Sequence, residues 1–494
     1  MLEHLFNGLA VTFSFEVLPV LIFGVLGGII LGALPGLTAT MGVAILLPFT
    51  FGMEPTAALV MLIGVYIGGI YGGSIAAILL KTPGTPASAA SVLDGYTMSS
   101  NGQAARALSI SAVASFTGGL ISTIVLIAIS PLLATFALKF NAPEYFALAL
   151  FGLTIIASVS SQNILKGLLA GAIGLLISTI GLDPISSVPR FTFGMMDLYS
   201  GVNVIPVLIG LFALSEALNQ IEKILSEKQI KPPKFDRKLL SKKDLKEMMP
   251  TAIKSGLMGT TIGSVPGAGA DISAFVCYNE AKRSSKNPEE FGKGSVKGLA
   301  AAEAGNNGVT GGSLVPLLTL GVPGDAVAAV LLGALIIQGL TPGPLLFAQS
   351  PEVVYGVFSS MLVANVVMLI VGLLGIRFFC RIIEVPKILM IPIIIFLSIV
   401  GAYAINNSMF DIGIAIGFGV LGFILGKLDI PSSPILLAII LGPMAETNLR
   451  KSLLMYDSSW SFLYDRPIAL AFIVLAVLSV YSTMKIKKRA NKDA

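Results

Sequence analysis

Apolar segments recur along the whole 494-residue chain, and polar residues lie mainly in the short stretches between them. Many of these segments are about 20 residues long, which is the length that crosses the hydrocarbon core of a bilayer as a helix. The strict alternation of apolar and polar residues that is typical of membrane strands is absent from the sequence. The pattern therefore predicts an all-α polytopic membrane protein with about 10 to 12 spanning helices.

Pro-Gly pairs interrupt four of the apolar segments: GALPGLT (residues 32–38), KTPGTPAS (81–88), GSVPGAGA (263–270) and GVPGD (321–325). The first and third breaks correspond at an offset of 231 residues, and each half also carries the tripeptide GGS between its two breaks. The same features thus recur in the same order, which predicts two structural repeats. Two similar apolar halves with interruptions at corresponding positions are typical of secondary transporters.

The loop charges predict how the two repeats are oriented. Nine Lys or Arg residues lie between positions 222 and 247, and five more lie between 281 and 297. Both regions should face the cytoplasm, so segment 250–279 leaves and returns on one side and must turn inside the membrane at Pro266. Residues 1–23 contain no Lys or Arg, which predicts that the first hairpin enters from the opposite face. The repeats are then inverted.

We therefore predict four regions. Repeat one covers 1–222, a cytoplasmic basic linker covers 223–247, repeat two covers 248–484, and a cytoplasmic basic tail covers 485–494. Each repeat should contain a re-entrant hairpin followed by a broken transmembrane helix. The basic tail places the C-terminus in the cytoplasm.

Composition supports a membrane protein and argues against several enzymes. Hydrophobic residues make up 55% of the chain and charged residues 12%, whereas soluble domains carry about 25% charged residues. The net charge of +5 is explained by the loops and the tail and does not indicate a nucleic-acid partner. The sequence has no GxxxxGK[ST] phosphate loop, and its single His argues against a zinc hydrolase. We expect a protein that is not an enzyme and that needs no cofactor.

The breaks are also the predicted binding site. Freed amides at helix N-termini suit a carboxylate, and freed carbonyls suit Na⁺. The substrate-binding candidates at or near the breaks are Gly36, Thr38, Ser74, Lys81, Thr82, Gly84, Thr85, Gly267, Asn306, Asn307, Ser313 and Gly324. The cation-binding candidates are Pro35, Thr40, Gly269, Asp271, Pro323 and Asp325.

Each candidate also has a structural interpretation. An isolated Pro-Gly break can be a simple kink, and a Ser or Thr hydroxyl can bond to its own backbone. Lys81 either binds a substrate carboxylate or extends to the membrane interface. Asp271 and Asp325 are the stronger candidates, because a carboxylate at mid-membrane costs about 2.5 to 3.5 kcal/mol. Three further charged residues near polar loops are expected to cap helices or to form pairs: Asp94, Arg106 and Glu303.

Several long blocks resemble the large membrane subunit of tripartite tricarboxylate transporters. They include GALPGLTATMGVAILLP, IGGIYGGSIAAILLKTPGTPASAASVLDGY, VPGAGADISAFVCYNEAKRSSKNPEEFGKGS and GGSLVPLLTLGVPGDA, and the resemblance covers essentially the full length. It implies a multi-pass carrier in the bacterial inner membrane that imports di- or tricarboxylates with a Na⁺ or H⁺ gradient. It also implies two protein partners, a small four-helix membrane subunit and a periplasmic solute-binding protein.

Three functional hypotheses remain open from the sequence. The first is a cation-coupled carboxylate importer whose hairpins and broken helices move as one block. The second is an ion channel or a self-sufficient carboxylate carrier that needs no binding protein. The third is a membrane enzyme.

Overall fold

The computed structural model describes residues 2–34, 36–159, 164–224, 239–266, 269–382 and 387–490. Their regular structure is almost entirely helical, so the predicted all-α fold is confirmed. The α-helices are α1 (Leu2–Thr12), α2 (Val17–Ala33), α3 (Ala39–Leu46), α4 (Pro55–Leu80), α5 (Thr97–Ser100), α6 (Ala104–Ala137), α7 (Ala142–Val159), α8 (Ile164–Ser178), α9 (Val204–Leu208), α10 (Ser215–Ile224), α11 (Lys242–Gly263), α12 (Ala270–Ser284), α13 (Val296–Leu320), α14 (Ala326–Ile337), α15 (Pro344–Gln349), α16 (Pro351–Leu374), α17 (Ile376–Ile382), α18 (Lys387–Asn406), α19 (Met409–Lys427), α20 (Ser433–Met455), α21 (Phe462–Asp465) and α22 (Pro467–Ala490).

Shorter elements connect these helices. The 3₁₀ turns are Leu47–Thr50, Pro86–Ser88, Met196–Leu198 and Pro288–Glu290, and the π-helical turns are Val92–Tyr96 and Ile209–Leu214. Two two-residue strands, β1 (Gly181–Leu182) and β2 (Pro189–Arg190), pair antiparallel, with Gly181 opposite Arg190. Some predictions fall on other parts of the chain. Pro35, Gly267, most of the basic linker and the last four residues of the tail lie outside the described residues.

The predicted helix breaks are present where the sequence placed them. Helix α4 ends at Leu80, and the next residue, Lys81, has a left-handed backbone with φ of 59°. Helix α13 ends at Leu320, followed by Gly321 in the same conformation, with φ of 72°. A left-handed residue after the last helical turn is a common helix terminator, and a proline two residues later prevents continuation.

The first arm of the first hairpin, α2, begins at Val17 and is 17 residues long. Upstream, α1 and α2 meet at a bend of 74° instead of forming one straight helix. The apolar residues before Gly24 therefore extend the hairpin arm.

Five described helices are long and apolar enough to cross a membrane: Pro55–Leu80, Ala104–Ala137, Val204–Glu222, Pro351–Leu374 and Met409–Lys427. The bent pair α1 and α2 would add a sixth. Helices α7, α8, α18, α20 and α22 coincide with the remaining apolar segments that the sequence predicted to span. The protein is thus a polytopic α-helical membrane protein.

The chain forms two compact units, and each unit contains segments from both halves of the sequence. Unit one comprises residues 1–134, 219–265 and 269–397, and it holds the helical arms of both hairpins and both broken helices. Unit two comprises residues 135–218, 266–268 and 398–494. The sequence repeats therefore do not correspond to the two compact units.

Glycines allow the hairpins of unit one to lie directly against the broken helices. Along α2, a side chain at Gly28 would collide with the backbone of Val65 in α4. Along α11, a side chain at Gly259 would collide in the same way with the backbone of Gly305 in α13. Close backbone approach through small residues is the usual basis of helix association in membranes, where lipid is as apolar as the side chains.

Unit two contains a network of ion pairs. Arg190 at the end of β2 donates to Glu446 in α20 at 2.7 Å, and Arg450 donates to Asp183 at 2.7 Å. Arg450 also lies 2.7 Å from Glu446. The backbone N–H groups of Ser186 and Ile185, and then Arg450, hold the pKa of Asp183 well below its usual range. The network attaches the loop that carries the strands to α20.

The close approach of α2 to α4 predicts a position-specific effect of adding one methyl group. Gly28→Ala should destabilise the protein by about 1 to 3 kcal/mol, because the rigid backbone of Val65 occupies the space. Gly27→Ala is the matched control, since its nearest neighbour is the end of the Leu46 side chain at 3.8 Å. The control should be neutral or slightly stabilising. Thermal unfolding in detergent measures both, and equal losses would contradict the packing.

The lowered pKa of Asp183 predicts a pH-dependent contribution to stability. The contribution is fully present above the pKa of Asp in the unfolded chain, about 3.9, and is lost as the pH falls through the lower pKa of the folded protein. Asp183→Asn should therefore lower the unfolding temperature equally at pH 7 and pH 5, and the difference from wild type should shrink below about pH 4. Asp197→Asn, at an exposed position of the same loop, serves as the control. A constant difference down to the lowest pH would refute the assignment.

Candidate functional site

The two helix breaks have the same local structure. After α4 ends, the N–H of Gly84 donates to the carbonyl oxygen of Gly73 at 3.2 Å, so the chain folds back on its own helix. After α13 ends, the N–H of Gly324 donates to the carbonyl oxygen of Ser313 at 3.3 Å. Both donor and acceptor are displaced by 240 residues between the halves. The sequence correspondence of the breaks is therefore also a correspondence of hydrogen bonds.

Each break also lies against the end of a hairpin arm. A side chain at Gly84 would collide with the carbonyl oxygen of Gly32, near the end of α2. A side chain at Gly324 would lie 2.5 Å from the carbonyl oxygen of Gly263, the last residue of α11. The break and the end of the hairpin arm are thus adjacent in each half.

The residues after the breaks start new helical turns. Thr85 precedes the 3₁₀ turn at Pro86–Ser88, and its N–H bonds to the Ser88 hydroxyl at 3.3 Å. Asp325 caps α14, because its Oδ1 accepts the N–H of Ala328 at 2.7 Å. A carboxylate at a helix N-terminus is stabilised by the helix dipole and by the unpaired N–H groups there.

A new helix also begins directly after each hairpin tip. In the first half, the Thr38 hydroxyl caps α3 by accepting the N–H of Met41 at 3.1 Å, and Thr40 follows half-buried. Gly36, just before it, has φ of 92°, a left-handed conformation that favours glycine. In the second half, Gly269 precedes α12 and Asp271 is an exposed residue in its first turn.

Asp325 belongs to a buried polar cluster at the second break, together with Tyr66 and Ser313. The Tyr66 hydroxyl, from the middle of α4, donates to Asp325 Oδ2 at 2.6 Å and lies 3.0 Å from the Ser313 hydroxyl. Asp271 is close by, since a Cβ at Gly269 would lie 2.8 Å from Asp271 Oδ1 and 3.9 Å from the Asp325 Cβ. Four predicted residues are therefore brought together here: Ser313, Gly269, Asp271 and Asp325. Pro323 lies buried in the same break.

A second buried polar cluster joins α4 and α13 nearer the first break. The Ser74 hydroxyl donates to Glu303 Oε2 at 2.8 Å, and Ser115 from α6 donates to the same oxygen at 3.0 Å. The Asn306 side chain donates to the carbonyl oxygen of Ala87, beside Thr85, at 3.2 Å. Asn307 donates to Asn306 at 2.6 Å and to the Glu303 carbonyl oxygen at 3.1 Å. Four of the candidate substrate residues, Ser74, Thr85, Asn306 and Asn307, thus lie in one region of the structure.

Two predicted substrate residues make other contacts. Lys81 is exposed, and its Nζ lies over the ring of Tyr96, 5.7 Å from the ring centroid. Thr82 donates to the carbonyl oxygen of Leu80 at 3.3 Å, which is the local backbone contact that the structural interpretation anticipated. The described contacts place neither side chain in the two clusters.

The expectations for three other charged residues had mixed outcomes. Asp94 accepts the N–H groups of Gly292, Gly294 and Ser295 at 2.7 to 2.8 Å, so it holds the loop before α13 instead of capping the first turn of a helix. Arg106 pairs with Asp244 at 2.6 Å, as expected.

For Glu303 the prediction of capping or pairing near a polar loop was wrong. It lies in the middle of α13 with a side chain that is 0% exposed. Its hydrogen-bond donors are 229 and 188 residues away in the sequence, so no local pattern could have identified them. Tyr66 was missed for the same reason, because its acceptor is 259 residues away. The signal in the sequence for a buried role of Glu303 was a glutamate within a helix of mostly small and apolar residues.

The clusters provide oxygen ligands in a region of low dielectric. Hydroxyl, carbonyl and carboxylate oxygens are the ligands that hard cations prefer, while the free N–H groups at helix starts suit a carboxylate. Within the described parts of the chain, no three His, Cys, Asp or Glu residues group together as a metal site would require. Glu303 is the buried carboxylate of one cluster, and Asp325, with Asp271 beside it, is the buried carboxylate of the other.

Comparisons with known proteins give a consistent family assignment. A model of the tripartite tricarboxylate transporter TctA family matches residues 18–437. An Agrobacterium vitis protein, described as an uncharacterized 52.8 kDa protein in the TAR-I ttuC' 3' region, is 36% identical over 470 residues, which cover 95% of this chain and 93% of that protein. A second A. vitis protein, from the TAR-II ttuC' 3' region, is 34% identical over 235 residues, 48% of this chain and 97% of its own length. No solved structure matches the chain.

The hydrogen bond of the Tyr66 hydroxyl predicts that Tyr66→Phe destabilises the protein more than Tyr71→Phe on the same helix. Tyr66→Phe should destabilise the protein by about 1 to 3 kcal/mol, because Asp325 Oδ2 loses its 2.6 Å donor in a buried site. Tyr71→Phe is the matched control on the same helix, since that hydroxyl has only a long 3.5 Å contact with the Gly372 carbonyl oxygen. Its loss should be at most about 1 kcal/mol. Thermal unfolding measures both variants, and a larger loss at Tyr71 would contradict the cluster.

Proposed function

Because the chain belongs to the tripartite tricarboxylate transporter TctA family, we propose that it is the large membrane subunit of a secondary transporter for di- or tricarboxylates. The observation that supports a transport site most directly is the matched pair of helix breaks, each held by the same backbone hydrogen bond and each adjacent to a hairpin tip. Non-helical backbone persists at membrane depth only where it is buried in protein or lines a wet cavity. Two such breaks in one compact unit can together form a binding site.

The polar groups of the two halves suggest that one half binds the substrate and the other binds the cation. The first half supplies the hydroxyl groups of Thr38 and Thr85, which suit a carboxylate. The second half supplies the carboxylates Asp271 and Asp325, which suit the coupling cation. Helix α3, which Thr38 caps, packs against α14, which Asp325 caps. A cation bound at the aspartates then attracts the anionic substrate, which couples their binding.

We further propose that unit one moves as a block during alternating access, in an elevator-like manner. Support comes from the composition of that unit, which holds both pairs of hairpin arms and both broken helices in one compact body. Such a block can carry a bound substrate without disturbing its ligands. The inverted orientation of the repeats, inferred from the loop charges, provides two related conformations for it.

The proposal includes location and partners. The Lys and Arg residues of the linker and the tail support a cytoplasmic position for both, in a protein of the bacterial inner membrane. A periplasmic solute-binding protein delivers the carboxylate, and a small four-helix membrane subunit completes the complex. The competing hypothesis is a carrier or an ion channel that works without the binding protein.

Reconstitution distinguishes these hypotheses. The chain is placed in vesicles with its small subunit, and uptake is measured for a panel of labelled di- and tricarboxylates that includes citrate. We expect accumulation only when the binding protein and an inward Na⁺ or H⁺ gradient are both present. Accumulation without the binding protein supports the self-sufficient carrier, and gradient-independent flux supports a channel.

The predicted cation site adds a variant test to the same assay. Asp271→Asn should weaken the dependence of uptake on the cation gradient at least tenfold, because it removes one of two neighbouring carboxylates and about 1.4 kcal/mol or more of coupling. Asp197→Asn, an exposed position in unit two, is the control and should leave uptake unchanged. Unaltered coupling in Asp271→Asn would remove this residue from the site.

A further inference from the structure

Glu303 is a fully buried carboxyl group whose two oxygens have different surroundings. Oε2 accepts hydrogen bonds from Ser74 of α4 and Ser115 of α6. Oε1 is buried and has no hydrogen-bond partner among the described residues. An unpaired oxygen of a buried carboxylate is costly, because the lost hydration is not replaced. The asymmetry indicates that Oε1 serves a purpose other than structural pairing.

Two further serines lie beside the same carboxyl group. Ser111 belongs to α6, and Ser91 immediately precedes the π-helical turn at 92–96. Both hydroxyl oxygens are buried, and in the described structure neither has the geometry of a hydrogen bond with any group. Three buried oxygens without a hydrogen-bond partner among the described residues, from Glu303, Ser91 and Ser111, therefore lie in the surroundings of one carboxyl group. A proton on Oε1 would make that oxygen a hydrogen-bond donor. The hydroxyl oxygen of Ser91 or Ser111 could then accept this hydrogen bond.

The neighbouring ionisable groups do not neutralise Glu303. Those that face α13 from the elements packed around it are Tyr71 of α4, Cys277 and Tyr278 of α12, and Asp94 near α5. None is a cation. Asp94 already accepts the Tyr278 hydroxyl at 2.9 Å and three backbone N–H groups, so its own charge is satisfied locally.

Two basic residues on the adjoining helices have other partners. Arg106 of α6 pairs with Asp244 at 2.6 Å, and Lys254 of α11 pairs with Glu280 at 2.8 Å. An ionised Glu303 would thus be a single buried charge in an apolar protein, which is unfavourable by several kcal/mol without a counter-charge. A positive charge must reach Glu303 from solution whenever the surrounding helices close over it.

We propose that Glu303 is a proton-binding site whose occupancy is coupled to carboxylate transport. On binding, an Oε1–H bond forms and donates to the hydroxyl oxygen of Ser91 or Ser111, while Oε2 continues to accept from Ser74 and Ser115. On release, the proton leaves Oε1 for water on the other side of the membrane, and serine hydroxyls turn to donate to the carboxylate. The inference rests on the proposed transport function and names H⁺ as a coupling ion at a site separate from Asp271 and Asp325.

The contacts of Glu303 connect this site to the first helix break. Ser74 follows Gly73, whose carbonyl oxygen holds Gly84 at the break. On the other side, the Glu303 carbonyl oxygen accepts from Asn307, and Asn307 donates to Asn306, which holds Ala87 just beyond the break. These contacts connect Glu303 to Gly84 and to Ala87 in the interrupted segment.

The first test detects the proton itself, without transport. Infrared difference spectra of the purified full chain, recorded between pH 5 and pH 9 in H₂O and D₂O, should contain a C=O stretching band of a protonated carboxyl group. Glu303→Gln should remove this band, and Glu303→Asp should shift it. Asp94→Asn, a buried carboxylate with four donors, is the control and should leave it in place. Persistence of the band in Glu303→Gln would overturn the proposal.

The second test measures coupling in vesicles that contain the complete transporter. In Glu303→Gln, accumulation driven by a pH gradient should fall to the level without a gradient, while exchange of labelled for unlabelled carboxylate continues. Unchanged pH-driven accumulation overturns the proposal, and so does loss of Na⁺-driven accumulation alone, which would assign Na⁺ to the serine cluster. If no variant or wild type transports any carboxylate while the band behaves as expected, the proposed function fails and the proton site stands.

Discussion

The structure depends on one constraint, which is that backbone polar groups freed at a helix break must be satisfied inside the protein. Lipid offers neither donors nor acceptors, and each unpaired group costs several kcal/mol. The chain meets this constraint in the same way twice, with the N–H of Gly84 on the Gly73 carbonyl oxygen and the N–H of Gly324 on the Ser313 carbonyl oxygen. Because the solution is identical in both halves, any ligand between the breaks is surrounded by two equivalent frameworks.

Close packing makes that solution possible. Each break lies against the carbonyl oxygen of a glycine, Gly32 or Gly263, at the end of a hairpin arm. A side chain at Gly84 or Gly324 would separate the two and leave the freed groups without protein around them. The small residues that bring the helices together are therefore also the residues that protect the interrupted backbone. The same glycines account for folding and for the position of the site.

The sequence predicted the parts of this structure that depend on local chemistry. The end of α4 at Leu80 and the end of α13 at Leu320 follow from proline and from terminating residues, and both were found where expected. The polar partners of Glu303 and Tyr66 could not be predicted, because they are 188 to 259 residues away and come together only when the two halves pack. For Lys81 the sequence predicted the end of the helix just before it, but not the contact of its side chain with the ring of Tyr96.

The two halves share a framework but not its charges, and this difference bears on function. Ser74 of the first GGS tripeptide bonds to Glu303, and Ser313 of the second bonds to Tyr66, so each serine joins the broken helix of the other half. The buried carboxylates at these contacts, Glu303 and Asp325, both come from the second half, whereas the first half has Thr85 at the position equivalent to Asp325. A symmetric framework therefore encloses an asymmetric electrostatic field. The negative potential of these carboxylates therefore comes from the second half, while the first half contributes the hydroxyl groups of Ser74 and Tyr66 that donate to them.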